Sequence, residues 1–221
     1  MKDLSFTQEY LLCALSPKGA VPAFKSTEVN ACLVAGGLLE LLYLRVIAID
    51  EKKKITVEKD LGQDGLHLEP LYRTIKTGKV MSVTDVASKY IFGSGKLLGE
   101  FVQALARPLT EGGYVSVEAG GLFHNKTLYV PKNDEVLKII EKVRAELLES
   151  GAINDETVVL GAMLQKTGLI MNYFSKYEAD RLKARLKEIE KSEAGAFVKS
   201  IVDYIDTLIA VLVAVGGSAG A

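Results

Sequence analysis

Lys96 lies in Gly93-Ser94-Gly95-Lys96-Leu97-Leu98-Gly99, where glycines surround a cation as they do in phosphate-binding loops. A Walker A loop needs a glycine five positions before its Gly-Lys pair and Ser or Thr after it; here those positions hold Tyr90 and Leu97. A dinucleotide fingerprint needs a strand ahead of its glycines, yet Ser82 to Ile91 has a helical pattern. The segment therefore reads as a turn between two helices. His67 and His124 are far apart, and no Cys or carboxylate cluster gives either one ligand spacing, so neither a metal nor another cofactor is expected. Cys13 and Cys32 have apolar neighbours and no activating cation, which makes them buried thiols of a reduced compartment. No serine occupies a nucleophile-elbow sequence. Without a titratable constellation no catalytic residues are expected, and an enzyme with an unrecognised site is the least favoured reading. The sequon Asn125-Lys126-Thr127 has no consequence in a chain that stays in the cytoplasm.

Two groups of charges invite binding rather than catalysis. Lys183, Lys187 and Lys191 recur every four residues beside Leu182, Leu186 and Ile189, a basic stripe that could face an anionic membrane. Glu178, Asp180, Glu188 and Glu190 dilute it, which favours a solvated helix face. The order of a helix from Ser82, a turn at Gly93 to Gly95, a longer helix and a hairpin also matches a winged helix-turn-helix. Its would-be recognition helix offers Lys96 and Arg107 against Glu100 and Glu111, too little to neutralise phosphates. A winged-helix nucleic-acid-binding protein is thus the alternative reading, and nucleic acid is not the favoured partner.

The elements that would position these groups are mostly helical. Thr7 is placed as the cap of a short helix through Leu15, and Ser26 or Thr27 as that of a longer one in which Val29, Cys32, Leu33, Gly36 and Glu40 share a face. Val46 to Asp50 and Lys54 to Lys59 alternate around Glu51-Lys52-Lys53 and predict a hairpin, followed by a loop at Gly62 to Gly65. Helices are predicted over Leu68 to Lys76, from Ser82 with Asp85 completing the cap to Ile91, and over Leu97 to Thr110. A second hairpin, Tyr114 to Glu118 with Leu122 to Val130, turns at Ala119-Gly120-Gly121. Helices from Asn133 to Gly151, Glu156 to Lys166, Tyr177 to Lys191 and Ala196 to Val215 complete the chain.

Composition sets the outer limits. The 221 residues carry 48% apolar and 25% charged side chains, enough for a substantial core, and 27 basic against 28 acidic residues leave no strong field for polyanions. Met1 to Tyr10 lacks the order of a secretory signal, and Leu208 to Val215 is far shorter than a bilayer span of roughly 20 residues. The expectation is a mainly α, single multi-helix domain over residues 1–215 with peripheral β-hairpins, a disordered tail over 216–221, no transmembrane segment and a cytoplasmic location.

Function enters through resemblance. Leu4-Ser5-Phe6-Thr7-Gln8-Glu9-Tyr10-Leu11-Leu12, the Leu38-Leu39-Glu40-Leu41 helix end and the Val46 to Asp50 strand together resemble the Golgi phosphoprotein 3 family. Its members open with Leu-Thr-x-x-Glu-x-Leu-Leu-Leu and continue into a Leu-Ile-Glu-Leu-Ala-Leu helix and a Gly-Arg-Leu strand. Leu109-Thr110-Glu111-Gly112-Gly113-Tyr114 is similar to the family's Leu-Val-Glu-Lys-Gly-Val turn. Val159 to Met163 resembles its Leu-x-x-Leu helix start, and Ile209 to Val215 its apolar end.

The resemblance implies a non-enzymatic, peripheral protein related to Golgi adaptors that bind phosphatidylinositol 4-phosphate through a basic pocket. The shared core begins within the first few residues, as in core-only prokaryotic members. Aligned with the family, the pocket tryptophan falls on Lys25 and the three arginines on Val34, Gly99 and Val102. At about 1 kcal/mol per cation near an anionic surface, their loss weakens headgroup binding by roughly two powers of ten. Lys25, Arg45 and Lys96 are the nearest substitutes for binding an anionic phospholipid headgroup. Leu122 and Phe123 fall where the family carries apolar hairpin residues, so they are assigned to membrane contact or to a homo-oligomer through the second hairpin.

Overall fold

The computed structural model describes residues 4–21, 26–121, 126–149 and 152–191, together with Asp203, Asp206, Thr207 and Ala210. Helix α1 (Phe6–Ala14) has all nine of its residues buried, so it has no solvent face. Such a helix must lie at the centre, and it packs against α2 (Ser26–Tyr43), α5 (Lys96–Glu111), α6 (Asn133–Leu148) and α7 (Asp155–Lys166). Its polar residues are accommodated individually. Gln8 folds back on the Ser5 backbone N–H while its own N–H reaches Ser5 Oγ, forming a capping box. The cap is therefore Ser5 rather than Thr7: the reciprocal Ser5–Gln8 pair starts the helix early enough to bury Phe6 and Thr7.

Around this axis stand α3 (Glu69–Ile75), α4 (Val83–Ile91) and α8 (Lys176–Lys191), and buried apolar residues from all eight of these helices join one cluster. The expected mainly α fold is what forms. Strands β1 (Ile47–Ile49) and β2 (Lys54–Val57) make the first hairpin, with Ile49 opposite Ile55. A two-residue strand, β3 (Met81–Ser82), adds to β2 as a third. Two residues are too few to show alternation, so periodicity misses it. The supposed loop at Gly62 to Gly65 is instead the start of a 3-10 helix, Gln63–Leu68, held inward by fully buried Leu68.

In the second hairpin, β4 (Val115–Gly120) runs on past the expected turn to pair Gly120 with Lys126 of β5 (Lys126–Pro131). Gly120, expected in the turn, makes a ladder pair instead. The β5 backbone also bonds outward, the Tyr129 N–H donating to the Gly19 carbonyl at 3.2 Å. The expected tail at 216–221 and most of the residues expected as a helix from Ala196 to Val215 lie outside the described residues; of those described, Asp203, Asp206, Thr207 and Ala210 are helical. No described helix is long and apolar enough to cross a membrane.

Candidate functional site

The glycine-flanked Lys96 sits where two helices meet end to side. Ser82 caps α4 through a reciprocal pair with Asp85, and the helix ends at Phe92. Gly95 then adopts φ +78°, a left-handed conformation that glycine alone enters freely, and redirects the chain into α5. Residues 92–96 are exposed. The new helix begins with no side-chain cap and no acidic residue in its first turn, so its leading N–H groups and positive dipole end face solvent. Its register is fixed from behind: Phe101 meets Tyr90 edge-on at 6.0 Å, the Tyr90 hydroxyl lies 3.2 Å from Thr74 Oγ1, and Gly37 lets α2 approach the Phe101 ring.

The charges at this end nearly cancel. The Lys96 side chain is 80% exposed, with Nζ 3.9 Å from Glu100, while Glu100 accepts a 2.8 Å hydrogen bond from Arg73. Arg73 in turn lies 3.9 Å from Glu69. The arrangement can meet a phosphate with backbone N–H groups and one weakly held ammonium. Of the positions where the family carries cations, Val34 is fully buried, Val102 is half-buried, and a Cβ on Gly99 would meet open space.

The other predicted site residues do not gather here. Arg45 is exposed in the turn from α2 to β1 at φ +55°, and its backbone N–H donates to Leu42. It shares no hydrogen-bond or ion-pair partner with Lys96 among the described residues. Lys25, Leu122 and Phe123 lie outside the described residues.

Two polar clusters inside the protein were not foreseen. Glu40 is buried in the apolar run of α2, where its Oε1 accepts from His67 Nε2 of the 3-10 helix; Ser5 Oγ lies 3.4 Å from the same ring nitrogen. The opposite oxygen, Oε2, has no partner. Because Glu40 and Ser5 share one nitrogen, the imidazole cannot relay a proton between them as a catalytic triad does. Among the described residues no three His, Cys, Asp or Glu side chains converge as a metal would need. In the first turn of α1, Glu9 is bound by Lys142 at 2.5 and 2.7 Å, yet burial outweighs that cation and pushes its carboxyl above the ordinary range. Burial also raises Cys13 and takes Cys32 to about 12, so neither is a ready nucleophile. A carboxylate within a leucine run signals a hidden partner, but sequence cannot say that the partner is His67, 27 positions away.

A family model described as Golgi phosphoprotein 3 (GPP34) matches residues 6–205, starting at the first residue of α1. No curated protein matches the chain. The winged-helix alternative gains no support, since the helix that would read DNA buries Phe101, Leu105, Ala106 and Leu109 in the core. With most of its length accounted for by one model, the chain belongs to the Golgi phosphoprotein 3 family.

Proposed function

We propose that this protein is a non-enzymatic adaptor, one domain over residues 1–215, that works in the cytoplasm and docks peripherally on anionic membranes. The headgroup is taken at the start of α5. The observation that carries this reading is the uncapped, solvent-facing N-terminus of a 16-residue helix with Lys96 as its first residue, in a family of Golgi-associated adaptors. Phosphatidylinositol 4-phosphate is the ligand that kinship favours. The site is weak in cations, because Glu100 already engages both Arg73 and Lys96. Membrane attachment therefore depends strongly on salt and on further contacts, for which Leu122 and Phe123 are the candidates, either by shallow insertion or by self-association.

Flotation of the whole chain with vesicles tests this. Vesicles bearing phosphatidylinositol 4-phosphate should carry more protein than vesicles matched for charge without it, and Lys96→Glu should abolish the difference. Equal flotation on neutral and phosphoinositide vesicles would overturn the headgroup reading. Leu122→Ser with Phe123→Ser should lower either the solution mass or the vesicle-bound fraction; no change in both would remove the hairpin from the scheme.

A further inference from the structure

The basic residues of α8 form a second surface, distant in sequence from the α5 site and built on different principles. Ala179, Leu182 and Leu186 are buried and turn one face of the helix to the core. At about 100° per residue, Lys176, Lys183, Lys187 and Lys191 fall within an arc of roughly 80° on the outward side, along about 22 Å of helix axis. All four are exposed, and among the described residues none forms an ion pair.

Two of the four acids that dilute the stripe in sequence are engaged by arginines, one of them from another helix. Glu178 accepts from the Ser175 backbone N–H and hydroxyl and from Arg144 at 2.9 Å, while Glu188 accepts from Arg185 at 3.1 Å. The arginines are engaged too: Arg181 donates to the Leu148 carbonyl at 2.9 Å and stacks 5.8 Å from the Tyr177 ring. That leaves four lysines with Asp180 among them and half-buried Glu190 at the margin. Tyr177, 71% exposed, stands on the neighbouring flank, an amphipathic ring of the kind that favours the headgroup layer.

We infer that this lysine ridge of α8 is a docking face for an anionic lipid surface, read by charge alone. A straight row of flexible ammonium groups suits a flat leaflet whose lipids diffuse to meet it, each cation contributing on the scale seen for polybasic segments. Duplex DNA would demand a surface curved to the groove and the forked donors of arginine, and the arginines of this helix are already committed. The inference extends the membrane reading above but rests on separate residues, so either can fail without the other.

The test uses the intact chain on vesicles of phosphatidylcholine with phosphatidylserine and no phosphoinositide. The wild type should bind in low salt and release as salt rises. Lys183→Ala, Lys187→Ala and Lys191→Ala together should weaken partition roughly 100-fold. Exposed helix positions tolerate alanine, and circular dichroism verifies that the variant is folded. Lys52→Ala, at the exposed tip of the first hairpin, should leave this binding within a few-fold, and the triple variant should keep the phosphoinositide increment. Absence of wild-type binding to the phosphatidylserine vesicles overturns the inference, as does a triple variant that binds like wild type. Retention on duplex DNA that the same triple variant abolishes, without vesicle binding, overturns it in favour of nucleic acid.

Discussion

Replacing His67 by alanine leaves a carboxylate stranded inside the protein. The Glu40 and His67 side chains are 6% and 9% exposed, and Glu40 Oε2 already lacks a partner, so the imidazole N–H is the donor on which the buried oxygen pair depends. Breaking a buried pair from one side costs about 3–5 kcal/mol, because the desolvation penalty remains when the attraction is gone. For a chain of this length that corresponds to a fall in Tm of about 6–20 °C. Glu40→Leu with His67→Leu removes both polar groups from surroundings already rich in leucine and should recover most of the loss. Urea unfolding followed by circular dichroism at neutral pH, for the two single variants and the double, measures the coupling; an unchanged urea slope shows that the denatured state is the same. Coupling below about 0.5 kcal/mol, within the additivity expected of independent sites, would refute the account of Glu40 as held in place by His67.

Gly37→Ala places a Cβ 2.6 Å from Phe101 Cζ and 2.8 Å from Leu71 Cδ2, and should cost about 1–3 kcal/mol in thermal or urea unfolding as α2, α3 and α5 are forced apart. Gly19→Ala puts a side chain at φ +73° and 2.9 Å from the Tyr129 backbone, so the Tyr129 amide should exchange its hydrogen markedly faster while the core amides do not. Glu178 is held down to about 2 by the Ser175 backbone N–H and hydroxyl and by Arg144, so the unfolded chain takes up this proton first. Its stabilisation is present above about 4.5 and lost as pH falls toward 2; Glu178→Gln should flatten acid unfolding in that window. Glu9 has the opposite sign: its carboxyl is raised by burial, so its contribution is fullest in acid and declines as pH rises through the folded value. In the native state both cysteines should resist iodoacetamide and become labelled only on unfolding, since both are buried with raised thiol pKa values.

The helices were legible in the sequence because their signals are local. The Ser82–Asp85 cap, the breaks after Ala14 and Glu111, and the apolar spacing of Phe101, Leu105 and Leu109 each act within a few residues, and the structure realises them nearly as read. The family kinship was legible for the same reason, through apolar runs and turns in a fixed order. What required the tertiary structure were the pairings of charge. Asp85 serves Ser82 three residues away, but Glu40 waits for His67, Glu9 for Lys142 and Glu178 for Arg144. The stripe on α8 shows the difference most plainly. Its acids and lysines alternate in sequence, yet folding brings Arg144 from α6 to take Glu178, while Asp180 stays exposed beside the outward-facing lysines. Sequence fixes how many charges a helix carries and at what angle each projects; only the approach of other helices decides which are neutralised, because that depends on distances between residues far apart along the chain.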